Sequence, residues 1–142
     1  MRADATFEVV RFTPGALDVE PVIATALPVG VATMLKHYRG QITGRSVTIF
    51  TSAFDQSSGV GTYVAMESFE GSIDGRTGTF NFVHSASTSG SDRAAQFFRI
   101  VPSSGTGELA GISGSGGMLI DADDVHRLWI DFEIAATEPG ER

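Results

Sequence analysis

At 142 residues the chain has the length of one domain, which buries a single core without disulfide staples. It has no cysteine, which excludes a disulfide framework, a thiolate nucleophile and a cysteine-ligated metal, and which fits a cytoplasmic location. A net charge of −7 repels phosphate backbones and sets nucleic acid aside as a partner, and no apolar run reaches the ~18 residues of a membrane span.

The N-terminal Met1-Arg2-Ala3-Asp4-Ala5-Thr6 lacks the apolar stretch of a signal peptide. Beyond it, short runs rich in Val, Ile, Phe, Tyr and Thr alternate with glycine-bearing turns. They predict strands at 6–12, 32–42, 46–54, 61–71, 78–85, 94–101, 107–112, 118–121 and 125–134. Between Pro14 and Gly30, Leu17, Val19, Val22 and Ile23 are spaced for a turn of helix. Pro21 and Pro28 limit it, so a loop or short strand is the other reading. Residues 1–136 are expected to form one domain, and 137–142 (Thr-Glu-Pro-Gly-Glu-Arg) a disordered tail. Strands at this spacing with no helices between them close as a sandwich or a barrel.

Asp74-Gly75 is the strongest hairpin signal, a type I′ pair. It sets Phe69 opposite Phe80, Glu67 opposite Phe82 and Ala65 opposite His84. One face then holds Tyr63, Ala65, Glu67, Phe69, Phe80, Phe82 and His84. Carrying the aromatics, it should point inward and take Glu67 and His84 with it. A second hairpin, turning at Thr43-Gly44, would pair Tyr38 with Ile49 and Lys36 with Thr51. Its expected inward face is Met34, Lys36, Tyr38, Val47, Ile49, Thr51 and Ala53. In the last strand Leu128, Ile130, Phe132 and Ile134 form the apolar face.

Several of these residues fall in a recognisable order. They are Lys36-x-Tyr38-x-Gly40, then Tyr63-x-Ala65-x-Glu67 with Gly71, then Gly75-Arg76-Thr77-Gly78-Thr79-Phe80 leading to His84. Val101-Pro102-Ser103-Ser104-Gly105-Thr106-Gly107-Glu108-Leu109 follows, then His126 and Asp131. The order resembles a family of small bacterial proteins of unknown function that share the allene oxide cyclase-like barrel. The resemblance runs from about Thr6 to Ile134. The Pro-x-Ser-Gly-Thr-Gly-Glu-Leu block is its most specific part, and Ser103 stands where glycine is usual. It implies an eight-stranded antiparallel barrel with an internal cavity, and no established activity.

The chemistry-bearing constellation is Glu67, His84, Tyr63, Tyr38 and Lys36. A carboxylate and an imidazole in an apolar interior suit acid–base catalysis, with Glu67 and His84 as the proton-transferring groups. The alternative is a mutually satisfied polar network that fixes barrel register. A hydrophobic small molecule in the cavity would meet Met34, Ile49, Phe69, Phe80 and Phe82, oriented by Lys36, Tyr38 and Tyr63. Three readings follow: a small-molecule-binding barrel, a cofactor-free isomerase or cyclase, and a structural or assembly protein with a filled interior.

Other features read blandly. Gly105-Thr106-Gly107-Glu108-Leu109-Ala110 matches a dinucleotide pattern, but Gly111–Gly117 cannot form the helix that pattern needs, so no cofactor is expected. His37, His84 and His126 have no metal-ligand spacing, and His37 falls on the face opposite Lys36 and Tyr38. Asp121, Asp123 and Asp124 lack the calcium-loop pattern and read as an acidic turn. Trp129 reads as a packing residue or part of a homo-oligomer contact.

Overall fold

A computed structural model describes residues 1–90 and 92–136, so the expected disorder of 137–142 lies outside the described residues. Eight strands run in order: β1 (Arg2–Pro14), β2 (Val29–Gly40), β3 (Ile42–Asp55), β4 (Val60–Ile73), β5 (Arg76–Ser89), β6 (Asp92–Ile100), β7 (Ile112–Ile120) and β8 (His126–Ile134). Each pairs antiparallel with the next, and β1 pairs with β8, closing a barrel. Among the described residues no helix is long and apolar enough to cross a membrane.

The β4–β5 hairpin has the expected register. Asp74 and Gly75 take φ of 48° and 80°, the double left-handed turn that fits the strand twist. Phe69 faces Phe80, Glu67 faces Phe82 and Ala65 faces His84. Tyr63, Ala65, Glu67 and Phe69 therefore share the inner face of β4, with Phe80, Phe82 and His84 on that of β5.

The β2–β3 hairpin does not turn at Thr43-Gly44. Tyr38 lies opposite Gly44 and Lys36 opposite Ser46, so the chain turns around Gln41. The backbone explains why. Gly44 faces Gly71 on β4, and a Cβ on Gly44 would come within 2.2 Å of the Glu70 carbonyl oxygen. Gly44 thus marks a close backbone crossing at a barrel corner, not a turn. The displacement is an odd number of residues, so every side chain of β3 changes face. Ser46, Thr48 and Phe50 point inward, and Val47, Ile49 and Thr51 point out.

The predicted strand at 107–112 is also corrected. Gly107–Leu109 is a single 3-10 turn, and β7 begins at Ile112 and runs unbroken to Ile120. Leu109 is fully buried and caps the core at this end. The Thr106 hydroxyl accepts the Thr79 N–H, and the Thr106 N–H donates to the Thr79 carbonyl. Ser103, at φ 66°, supplies the left-handed bend that glycine usually would. The 101–109 block is a structural closure.

The segment between β1 and β2 is irregular, with no helical turn. On β8, Leu128, Ile130 and Phe132 are buried and Ile134 packs against them, as expected. Trp129 sits on the outer face, stacked under the Arg2 guanidinium and over Gly117, where any Cβ would collide with its ring. Asp121 holds its turn by accepting the N–H groups of Asp123 and Val125 and the Nε of Arg127.

The two ends of the barrel differ. The lower end carries the β2–β3 and β4–β5 turns and the 3-10 turn, and is packed with Ile42, Ile73, Phe80, Leu109, Ile112 and Phe132. The upper end carries residues 15–28 and the β3–β4, β5–β6 and β7–β8 turns. There the inward-facing residues divide. Ala86 is 1% exposed, Ala32 4% and Met118 8%, whereas Val9 and Phe12 on β1 and Ile120 on β7 reach 38%, 55% and 54%. The barrel is solid below and opens above along its β1 and β7 side, a cup with an apolar wall.

Candidate functional site

The floor of the cup is built from β2 to β5. Glu67 on β4 is fully buried, and four side chains donate to it. Lys36 Nζ lies 2.6 Å from Oε2 and His84 Nε2 2.5 Å from the same oxygen. Tyr38 OH and Ser46 Oγ reach Oε1 at 2.9 and 2.6 Å. Asn81 Nδ2 donates to the Glu67 carbonyl at 3.2 Å and pins the strand. Alternation along each strand puts these groups together. Glu67 must point inward because Ala65 and Phe69 do, and Lys36 follows from Tyr38.

Burial alone would push the Glu67 carboxyl up. The hydrogen bond from His84 and the charge of Lys36 outweigh it and hold the pKa at about 2. Glu67 is therefore an anion with acceptors only, so His84 Nε2 carries a proton and donates. Burial pushes the His84 imidazole below its ordinary value, against the pull of Glu67. The ring is neutral at neutral pH, and its Nδ1 is an acceptor. Tyr63 OH, 2.8 Å away, donates to it. Arg93 Nη2 donates to the Tyr63 oxygen at 2.8 Å. Burial raises the Tyr63 phenol, and Arg93 pulls it back. Burial, then the charge of Glu67, pushes the Tyr38 phenol well up. A continuous chain runs from Arg93 at the half-buried upper level, through Tyr63 and His84, to Glu67 and Lys36 beneath.

The site residues expected from sequence divide into four groups. Glu67, His84, Lys36, Tyr38 and Tyr63 come together as one hydrogen-bonded cluster. Met34 sits half-buried on the inner face one level above Lys36, and contributes to the wall. Phe69, Phe80 and Phe82 point inward but line no open space. Each is at most 2% exposed, and their rings pack at 5.0 and 5.9 Å centroid separation. They fill the barrel beneath the floor. Ile49 is a correction: the reversed face of β3 leaves it outside the barrel, 57% exposed beside Met66.

Sequence reasoning missed Ser46, Phe50 and Arg93. The first two were lost with the β3 register. Phe50 stacks on Tyr63 at 5.1 Å and forms part of the wall. Arg93 faces inward through an irregularity of β6 that no residue pattern announces. A groove of about 980 Å3 lies on the outer face across β6 to β8, between Phe97, Arg99, Ser115 and Asp131. It does not include the Glu67 cluster. His37 is exposed on the outer face and His126 packs edge-on against Phe7, so the three histidines stand in separate places.

The model of the family described as "Protein of unknown function (DUF3224)" matches residues 3–132. The chain belongs to the DUF3224 family. A crystal structure of a DUF3224 protein of unknown function from Shewanella oneidensis MR-1 superposes with a TM-score of 0.82 at 25% identity, covering 96% of this chain and 98% of that one. No curated protein matches the chain. The DUF3224 match spans all eight strands, from Ala3 in β1 to Phe132 in β8, and so includes both the packed lower end and the Glu67 cluster.

Proposed function

We propose that this DUF3224 protein binds a hydrophobic small molecule in the open upper end of its barrel. The observation that carries the reading is the contrast on the inner face between a buried polar floor and the exposed apolar side chains of Val9, Phe12 and Ile120 above it. Inward-facing apolar side chains left in contact with water invite an apolar occupant. Phe7, Phe12, Met34 and Phe50 supply the wall, and Tyr63 is the polar group that meets the ligand. The filled lower half makes the site a cup rather than a deep chamber. Titration with the neutral dye N-phenylnaphthylamine tests this. Saturable fluorescence enhancement is expected, and it should be lost in Ser52→Trp, which fills the cup from the inner face of β3. No saturable binding, or binding indifferent to that substitution, would sink the reading.

A second reading, a cofactor-free isomerase or cyclase, is favoured by the Tyr63–His84–Glu67 chain. It has the logic of a nucleophile, an imidazole and a carboxylate in series. The Tyr63 phenol would pass its proton to His84 Nδ1. The imidazolium so formed faces Glu67 and the phenolate faces Arg93, so both new charges have partners. The phenolate would then take a proton from the ligand, return it at another atom, and recover its own proton from His84. The group that touches the ligand is Tyr63, because Glu67 and His84 lie beneath it. In a screen of hydrophobic carbonyl compounds, Tyr63→Phe should abolish turnover and keep binding. Turnover that survives that change would exclude the chain as the proton path.

A further inference from the structure

Arg93 points into the barrel only because β6 carries an extra residue. Ser85 pairs with Phe97 and Ser87 with Ala94, so Ala86 stands opposite both Ala95 and Gln96. Ala95 takes φ 52°, a strained value for a residue with a side chain. Phe98 is buried in the core, and in an unbroken strand Arg93, an odd number of positions earlier, would face solvent. The bulge turns its guanidinium inward. Bulges recur where a side chain must be re-aimed at a site.

The guanidinium then lacks a counter-charge. Glu67 is matched by Lys36, and His84 is neutral, so the interior keeps the Arg93 charge. Among the described residues the ion pairs are Arg2–Asp4, Lys36–Glu67, Arg45–Glu70 and Arg127–Asp121; none involves Arg93. Its Nη2 donates to Tyr63, and its Nε is buried with no acceptor among the described residues. A buried unpaired donor on a cation is costly unless a ligand supplies the acceptor. The guanidinium also lies 5.4 Å from the Tyr63 ring centroid, which holds its plane. In a chain of net charge −7, an inward cation with a vacant donor is unlike its surroundings.

We propose that Arg93 is an anion-binding residue of the cup and that the ligand is an amphipathic carboxylic acid. Its carboxylate sits on the half-buried Arg93 guanidinium, and its apolar body lies against Phe7, Met34 and Phe50. A carboxylate fits a guanidinium in two parallel hydrogen bonds. One guanidinium balances one negative charge, whereas a phosphate would leave its second charge unmatched. The inference rests on the reading that the upper end takes a hydrophobic small molecule, and it names that molecule's polar end.

Fluorescence titration with dansylaminoundecanoic acid and with its methyl ester separates the two claims. The acid should bind ~tenfold or more tightly than the ester, the loss expected when a charge-assisted pair is removed. Arg93→Gln should bring the acid down to the level of the ester and leave the ester unchanged. Arg93→Lys, which keeps the charge but not the paired donors, should fall between them. Equal binding of acid and ester to the unaltered protein overturns the role of Arg93 and leaves the cup standing. Acid affinity unchanged in a folded Arg93→Gln variant overturns it as well. Failure of both probes to bind overturns the cup reading and this inference together.

Discussion

The two halves of the barrel share one set of strands and do opposite things. In the lower half the inward positions hold Ile42, Ile73, Phe80, Leu109 and Phe132, each at most 2% exposed. In the upper half the same alternation delivers Val9, Phe12 and Ile120 to open space. Between them lies a layer of buried polar groups centred on Glu67. Periodicity thus decides which side chains face inward. Whether the interior is filled depends on side-chain volume and on what caps each end. Leu109 and its 3-10 turn close one end, while Tyr63, with Phe50 stacked on its ring and Arg93 over it, stays half-buried.

The middle layer should show the largest effects. Glu67→Leu would leave Lys36 charged and 4% exposed, with Tyr38 and Ser46 lacking their acceptor. Breaking a buried pair from one side costs about 3–5 kcal/mol. Urea unfolding of Glu67→Leu and of Lys36→Met/Glu67→Leu sharpens the comparison. Removing both charges should recover much of the loss. If the double variant is as unstable as the single one, the layer is not held by that pair. Just below it, Phe82→Ala should cost about 3–5 kcal/mol by transfer and cavity terms, while Phe12→Ala at the rim should stay within about 0.5 kcal/mol. Equal losses at the two positions would erase the distinction between a filled half and an open half.

Acid should act on the same layer in two stages. The His84 pKa is lowered on folding, so the unfolded chain takes up its proton first, and stability begins to fall as pH drops below about 6.5. Glu67 falls from 4.5 to about 2 on folding. Its contribution, on the order of a few kcal/mol, is present above pH 4.5 and lost as pH falls toward 2. At the other extreme, Tyr38 and Tyr63 resist ionisation in the fold, so stability should fall again as pH rises past 10. Urea midpoints measured across pH test this. His84→Gln should flatten the first stage and leave the second, and an unchanged first stage would assign it elsewhere.

How far the sequence carries this architecture depends on the turn chemistry. Asp74-Gly75 demands one backbone conformation, and it fixed the alternation of four inward residues on β4 and three on β5, including the facing of Glu67 and His84. Gly44 carries no such demand. A glycine is equally at home in a turn and at a close strand crossing, and the second use placed Ile49 outside and hid Ser46 and Phe50. Arg93 was hidden for a different reason. The β6 bulge rests on a left-handed alanine, which has no residue signature, and it reverses the facing of everything before it. The filling of the lower half was also out of reach. Phe69, Phe80 and Phe82 are correct as inward residues, but whether aromatic rings line a space or occupy it depends on what they meet from strands far away in sequence, here Phe98, Ile100 and Ile130.

Thr48 and Ile49 give the smallest effects and the finest test, because one residue step separates the inside of the barrel from the outside. Thr48 is fully buried, opposite Glu67 on β4, and its hydroxyl has no hydrogen-bond partner among the described residues. Thr48→Val keeps the shape and removes the unsatisfied group, so it should stabilise the fold by about 1 kcal/mol. Ile49→Thr, on the outer face, should change stability by no more than about 0.5 kcal/mol. If β3 were turned the other way, the larger effect would move to Ile49. Ile49→Thr would then bury a hydroxyl and lose a packed methyl, at a cost of about 2 kcal/mol or more, while Thr48→Val would be nearly neutral. Urea denaturation at low protein concentration reads both. A large loss at Ile49 together with no gain at Thr48 contradicts the β3 register and, with it, the inward placement of Ser46 and Phe50.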